Sequence, residues 1–560
     1  MLFASFDFLL FLPPVLAGYW MLGGHPRARL LLLLAASYFF YCAGAKPAGG
    51  ELPPAWYFLG LLVASTLTDY YAALGIAKAR ARGGSGRAWL WLSVISNLGI
   101  LGYFKYTGFA FEIAGAVAGA LGASWTAPTL ELVLPIGLSF YTFQSLSYTV
   151  DVWRGRIEPE RSLTRFAAFV ACFPQLVAGP IVRASELLPQ LRQRVRLTRA
   201  DVDFALYRIS KGLLKKVVLG DFIAARFTDV VFSAPADHTS LENLLALYAF
   251  TLQIYADFSG YSDIAVGVAR LLGLQLPENF DRPYQAANVA EFWRRWHMTL
   301  STWIRDYVFF PLGGSRGSLT RTCVNLWLTL FLIGMWHGAS YNFVIYSNLQ
   351  AFAMVFHRLA SRGSHTPAAM VTKNLGVALA VFALGSLLAW LLDLGPGAWP
   401  FVGLVAAASL VAGLLGDSQF SWARPVNVLL TFHFVVLSRI FFRAEGLDVA
   451  RQMAAKLVAL DGLGVRPGLF RLHDLYQLVE GSALTGSARG LALSIADSGL
   501  LLLMIFGLAV HFLPARPLEK LGLRFFERTP AWGVACVLAL LGATFPRLLA
   551  GPRPNIYFAF

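Results

Sequence analysis

The sequence predicts an all-α, polytopic integral membrane protein, with about ten to twelve transmembrane helices and further re-entrant or interfacial helices between them. Three observations carry this. Hydrophobic residues make up 57% of the chain and charged residues only 14%, against roughly 25% charged in a soluble domain. The mean hydropathy is +0.60, too high for a soluble fold to cover its own surface. Finally, Lys and Arg gather in short gaps between apolar runs: Arg27 and Arg29, Lys78 to Arg87, Arg154 to Arg165, and Arg192 to Arg199. That is how the positive-inside rule distributes charge, so the net charge of +15 speaks for a membrane surface and not for nucleic acid. Abundant aromatics exclude a disordered chain, and four cysteines are too few for a disulfide scaffold.

A bilayer core about 30 Å thick takes about 20 apolar residues in helix. Candidate segments run over 8–24, 30–44, 56–77, 88–104, 108–123, 130–152, 166–182, 213–232, 241–272, 322–340, 342–357, 375–394, 399–416, 425–442, 498–514 and 531–550. Several are short, and Pro13, Pro14, Pro135, Pro174 and Pro180 are expected to break some of them. The first cation after Met1 lies beyond the first apolar run, so Phe8–Gly23 is expected to remain as a span and not to be cleaved as a signal peptide. The basic loops at 25–29 and 78–87, against a nearly neutral 45–55, place the N-terminus outside and those loops in the cytoplasm. Cys42, Cys172, Cys323 and Cys536 are scattered through apolar stretches and read as small buried hydrophobes, with no metal-binding spacing. The polar insert 443–497 is too short for a domain, so residues 1–560 are expected to form a single membrane domain.

Two stretches depart from span composition. Residues 183–221 are basic and amphipathic. Residues 277–318 are denser still, with Phe292, Trp293, Trp296, Leu300 and Trp303 forming one apolar stripe if the segment is helical. Flanking arginines make this a helix at or re-entering the interface, with a turn at Pro311-Leu-Gly-Gly314.

His337 ends the apolar run that starts at Cys323, in Gly334-Met-Trp-His-Gly338. A helix rising 1.5 Å per residue carries it roughly 20 Å from Cys323. An ionisable residue at that depth is a functional candidate, and imidazole suits proton abstraction from a hydroxyl. The alternative is a neutral His bonded to a helix carbonyl. His297, among Arg294, Arg295 and Trp296, reads equally as an interfacial residue in a basic stripe. Asp257 and Asp263 are six residues apart and share no helix face, so each is expected to bind Arg or to cap a helix near Gly260. Asp306 reads as an ion pair with Arg305. No nucleophile elbow, zinc motif, P-loop or dinucleotide fingerprint occurs.

Gln253-Ile-Tyr-Ala-Asp-Phe-Ser-Gly-Tyr-Ser-Asp-Ile-Ala265, Leu276-Pro-Glu-Asn-Phe280, Phe292-Trp-Arg-Arg-Trp-His297, Arg305-Asp-Tyr307, Pro311-Leu-Gly-Gly314 and Trp336-His-Gly-Ala339 together resemble the membrane-bound O-acyltransferase (MBOAT) family. The likeness is tightest over 250–340 and extends loosely over 1–560. Pro135-Ile-Gly-Leu-Ser-Phe-Tyr-Thr-Phe143, Ala178-Gly-Pro180 and Ile556-Tyr-Phe-Ala-Phe560 resemble its bacterial alginate O-acetylation branch. Leu349-Gln350-Ala351 stands where many of that branch have Leu-His-Gly.

The resemblance implies an acyltransferase with His337 as catalytic histidine and His297 as a second functional one. It implies a cytoplasmic thioester donor, acetyl-CoA, with no permanently bound cofactor or metal. Arg294, Arg295 and Arg305 are candidates for the CoA phosphates or for membrane anchoring. It further implies a bacterial inner membrane location and periplasmic acetyltransferase partners that modify an exopolysaccharide. Alternatives are D-alanyl transfer to teichoic acid from an acyl carrier, and a non-catalytic scaffold or transporter of a polysaccharide secretion complex.

Overall fold

A computed structural model describes residues 1–44, 55–125, 128, 132–193, 196–360, 367–416, 423–482, 485–530 and 533. Cys536, the 531–550 segment but for residue 533, Ile556–Phe560 and most of the 45–55 loop lie outside them. Among the described residues there are helices and no strands, as the composition requires. Among the described residues, five helices are long and apolar enough to cross a membrane: Trp56–Ala81, Leu319–His337, Asn374–Leu391, Ala423–Arg443 and Ser487–Phe512. The chain is a multi-pass membrane protein, and it divides into two compact units.

The first unit comprises Met1–Lys216, Phe258–Asn279 and Arg516–Phe560. Its opening helix, Phe6–Met21, starts where the Ser5 hydroxyl accepts from the Phe8 amide at 3.3 Å. Pro13 and Pro14 do not break it, contrary to expectation, because Phe8, Phe11, Val15 and Tyr19 bury one face on both sides of the prolines. The segments expected at 88–104 and 108–123 are one helix, Arg87–Ala120. The three residues between them, Lys105-Tyr-Thr107, include neither glycine nor proline, and the single Gly108 that follows costs only about 1 kcal/mol in a helix interior. The 166–182 segment does divide, into Leu163–Val170 and Phe173–Leu176, with Pro174 in the first turn of the second.

Polar side chains cross-link these helices. Asp69 accepts from the Asn97 amide at 2.9 Å, from the Thr149 hydroxyl at 3.1 Å and from Ser93. Asp263 takes Arg208 at 2.7 Å, Lys215 at 2.8 Å and Lys211 at 3.2 Å, which bears out its reading as an arginine partner. Of the two alternatives, ion pairing and not capping is what Asp263 takes, since the Ser240–Leu271 helix runs unbroken through Gly260. Gly260 serves close packing instead, since a Cβ there would lie 2.7 Å from the Gly212 carbonyl oxygen.

The second unit comprises Val217–Asp257 and Phe280–Ala515. The expected 213–232 span is replaced by π-helical stretches, Lys215–Phe222 and Ala224–Thr228, followed by the turn of helix Asp229–Ser233. Leu319–His337 and Tyr341–Ala360 form a hairpin. At Gly334 any side chain would enter the space of Ser347, so glycine sets the closeness of that pair. The turn at 311–314 forms as expected. Gly313 and Gly314 take φ of 108° and 59°, and Asn325 Nδ2 donates to the Leu312 and Gly314 carbonyls at 3.2 and 2.9 Å.

Candidate functional site

The 292–303 stripe is not one helix. Val289–Arg295 ends and Met298–Ile304 begins on either side of His297, whose backbone sits in the left-handed region at φ 44°, ψ 56°. Asn288 starts the first helix by accepting the Glu291 amide at 2.8 Å. Phe292, Trp293, Trp296, Leu300 and Trp303 are all buried, so the stripe packs into protein and not against solvent. The break turns His297 inward until it is completely buried. A non-glycine residue at positive φ is uncommon and costs on the order of 1–3 kcal/mol, and such strain gathers at functional sites. Neither short helix can cross a bilayer, and burial pushes the His297 imidazole pKa down to about 3. The ring is therefore neutral at physiological pH.

His337 is the last residue of the Leu319–His337 helix and is 4% exposed. Its neighbour Trp336 joins the two histidines, with ring centroids 6.0 Å from His297 and 4.9 Å from His337. Phe442 packs at 5.2 Å on the other flank of His337. Gly338 has extended backbone, and its missing side chain makes room for the Phe343 ring. The sequence-predicted histidines thus meet around Trp336.

None of the three candidate arginines is buried as that centre is. Arg294 is exposed. Arg295 is held by Glu291 at 2.8 Å and by the Asp281 carboxylate at 3.7 Å. Arg305 pairs with Asp306 at 2.9 Å, as the sequence reading expected. Glu291 also takes the Ala287 amide at 2.8 Å and Arg424 at 3.2 Å. Burial favours a raised Glu291 pKa, but those bonds outweigh it and hold the carboxyl below its ordinary range.

One charged residue escaped the sequence reading. Arg439 lies in the Ala423–Arg443 helix and is 1% exposed. Its guanidinium stands 4.9 Å from the Trp296 ring and 5.2 Å from the Phe442 ring, and Nη1 donates to the Tyr346 hydroxyl at 3.3 Å. An arginine inside the apolar run 425–442 was the available signal, since an ionisable residue within a span is a site candidate by default. Gln350 is also buried, and its Nε2 donates to the Ser438 hydroxyl at 3.1 Å, next to Arg439 in the chain.

Comparison with known proteins gives the family. The profile of the membrane-bound O-acyltransferase family matches residues 160–385, which contain both histidines. A protein named "Probable alginate O-acetylase AlgI" from Azotobacter vinelandii is 36% identical, over 82% of this chain and 78% of its own. Its namesake from Pseudomonas putida is 34% identical over 100% of both chains. The chain belongs to the membrane-bound O-acyltransferase family. A "Peptidoglycan O-acetyltransferase" from Helicobacter pylori is also similar, at 31% identity over 73% of this chain and 71% of that one. As an MBOAT member the chain is an acyltransferase, and the family resemblance in its motifs is confirmed over its full length. The buried His297–Trp336–His337 group carries imidazoles of the kind that serve as general bases.

Proposed function

We propose that this protein takes an acetyl group from acetyl-CoA on the cytoplasmic side of a bacterial inner membrane and passes it to a hydroxyl for O-acetylation of an exopolysaccharide or other cell-surface glycan. The observation that carries the reading is the burial of His297 and His337 against one tryptophan in a chain whose relatives are named as O-acetylases. In this reading the neutral imidazole of His337 accepts the proton of the attacking hydroxyl as its oxygen bonds to the thioester carbon. The tetrahedral intermediate collapses, the carbon–sulfur bond breaks, and the imidazolium returns the proton to the leaving thiolate. Such assistance is worth about 10² to 10⁴ in rate. His297, neutral and fixed by its strained backbone, orients the acceptor. Arg294 and Arg305, with Arg295 beside them, meet the donor's phosphates at the membrane surface. No permanently bound cofactor is required. Acetyl transfer onward to the glycan falls to periplasmic acetyltransferase partners, and the N-terminus faces the periplasm.

The test is turnover. Full-length protein in nanodiscs should release CoA thiol from acetyl-CoA as the acetyl group passes to water or to an added hydroxyl acceptor, and His337→Ala should abolish release at unchanged expression. Turnover of D-alanyl carrier protein in place of acetyl-CoA would instead establish the teichoic-acid chemistry. Wild-type-like turnover in His337→Ala would remove that residue's assignment.

A further inference from the structure

Arg439 is a buried cation without an acidic partner among the described residues. What surrounds the guanidinium is aromatic: Trp296 and Phe442 face it, Nη1 donates to the Tyr346 hydroxyl at 3.3 Å, and the Tyr284 hydroxyl also takes a hydrogen bond from the group. Its Nε and Nη2 make no hydrogen bond. These two atoms form the side-on edge of the guanidinium, the fork that arginine presents to anionic oxygens. A fold that buries such a charge ordinarily pairs it, because an uncompensated ion in an apolar interior is strongly destabilising. Cation–π contact offsets part of that cost and leaves the fork free.

The location gives the fork a use. Trp296 precedes His297, and Phe442, one helical turn along from Arg439, packs on His337. That edge of the guanidinium, buried and without a hydrogen bond, therefore belongs to the same aromatic-walled group as both histidines. Acyl transfer creates a negative oxygen as the nucleophile adds to the carbonyl carbon, and enzymes of this kind stabilise it with donors already fixed in place. His337 takes a proton and His297 is neutral, so neither supplies a positive charge before the reaction begins.

We infer that Arg439 is the electrophilic partner of the histidine pair, its Nε and Nη2 donating to the oxygen of the acyl group as that oxygen becomes anionic. The inference rests on the reading of His337 as the base in acyl transfer. No covalent bond to Arg439 forms: the oxygen gains charge on addition, and returns to a carbonyl when the sulfur leaves.

The experiment compares full-length wild type, Arg439→Gln, Arg439→Lys and His337→Ala in two settings. In nanodiscs with acetyl-CoA, Arg439→Gln should lower kcat by about 10² to 10³. The KM should stay within about threefold, because an interaction made only in the transition state leaves ground-state binding intact. Arg439→Lys, which keeps the charge and loses the fork, should recover part of kcat. Thermal unfolding of Arg439→Gln should be unchanged or shifted upward, as expected when an unpaired buried charge is removed. In the producing cells, base-released acetate from the glycan fraction should fall in Arg439→Gln at normal membrane abundance. This arm uses the native donor, so it decides the Arg439 question even if acetyl-CoA proves to be the wrong donor in the first. Wild-type kcat in Arg439→Gln, a loss confined to KM, or unfolding of both Gln and Lys variants would overturn the inference. The first would leave Arg439 idle, the second would make it a ground-state binding group, and the third a packing element.

Discussion

His297 packs its ring 6.0 Å from that of Trp336, the residue that immediately precedes His337. One indole therefore shapes the surroundings of both histidines. Its strongest consequence is coupling. If the two imidazoles serve one step, His297→Ala combined with His337→Ala should be no slower than His337→Ala alone, since residues acting as a unit are non-additive. Single-turnover measurements on the four proteins test this, and additive losses, or full activity in His297→Ala, would reduce His297 to an anchoring residue.

Gly338→Ala should impair the site without touching either imidazole. A methyl at this position enters the space of the Phe343 ring, and overpacking of this kind costs about 1–3 kcal/mol. We expect a lower unfolding temperature and a reduced kcat. Gly338→Ala combined with Phe343→Leu should restore both, and failure to restore would place the defect elsewhere.

Asp263→Asn should be among the most destabilising single changes. It leaves Arg208, Lys211 and Lys215 facing a neutral amide in a buried setting. Breaking a buried ion pair from one side costs on the order of 3–5 kcal/mol. Asp306→Asn, by contrast, removes the partner of an Arg305 that is half exposed, and should change stability by under about 1 kcal/mol. Fluorescence-detected melting in detergent separates the two outcomes, and equal effects would contradict the burial argument.

The folded protein should lose stability as pH falls from 7 to 5, in part through His297. Unfolded, this imidazole protonates near 6.5; folded, burial delays protonation to about 3. Across that window the unfolded state binds more protons, so the stabilisation is complete above pH 6.5 and declines as pH drops through it. One unit corresponds to about 1.4 kcal/mol, which gives a loss of about 2 kcal/mol at pH 5. His297→Gln should remove that part of the pH dependence and so flatten the fall of the melting temperature between pH 7 and 5. Glu291, whose pKa is depressed, keeps its full stabilisation above the ordinary carboxyl range and loses it only as pH falls below that range.

Topology follows from the early loops. Reporter fusions after Gly84 and after Gly49 should give opposite readouts, cytoplasmic for the first and periplasmic for the second. Identical readouts would reverse the orientation assigned from Lys and Arg.

What the sequence by itself determined was local in origin. Hydropathy summed over a helix length marked the 319–337, 341–360 and 423–443 helices to within a few residues, because bilayer thickness and helical rise act on contiguous residues. The positions of Gly313 and Gly314 announced their turn, and the Trp336-His337-Gly338 motif pointed to the site. The tertiary structure alone decided where helices break or persist. Periodicity made 292–303 one stripe, yet the helix breaks at His297, where a left-handed backbone lets the imidazole be buried along with the stripe. Prolines 13 and 14 looked like breaks, and packing on both sides of them kept the helix whole. Arg439 shows the limit most clearly. Its hydrogen-bond partner Tyr346 is 93 positions away in the sequence, and no spacing rule relates the two. A charge in an apolar run marks a residue as unusual, but its neighbours are set by how separate helices pack, and that packing depends on side-chain shape over distances that sequence patterns do not encode.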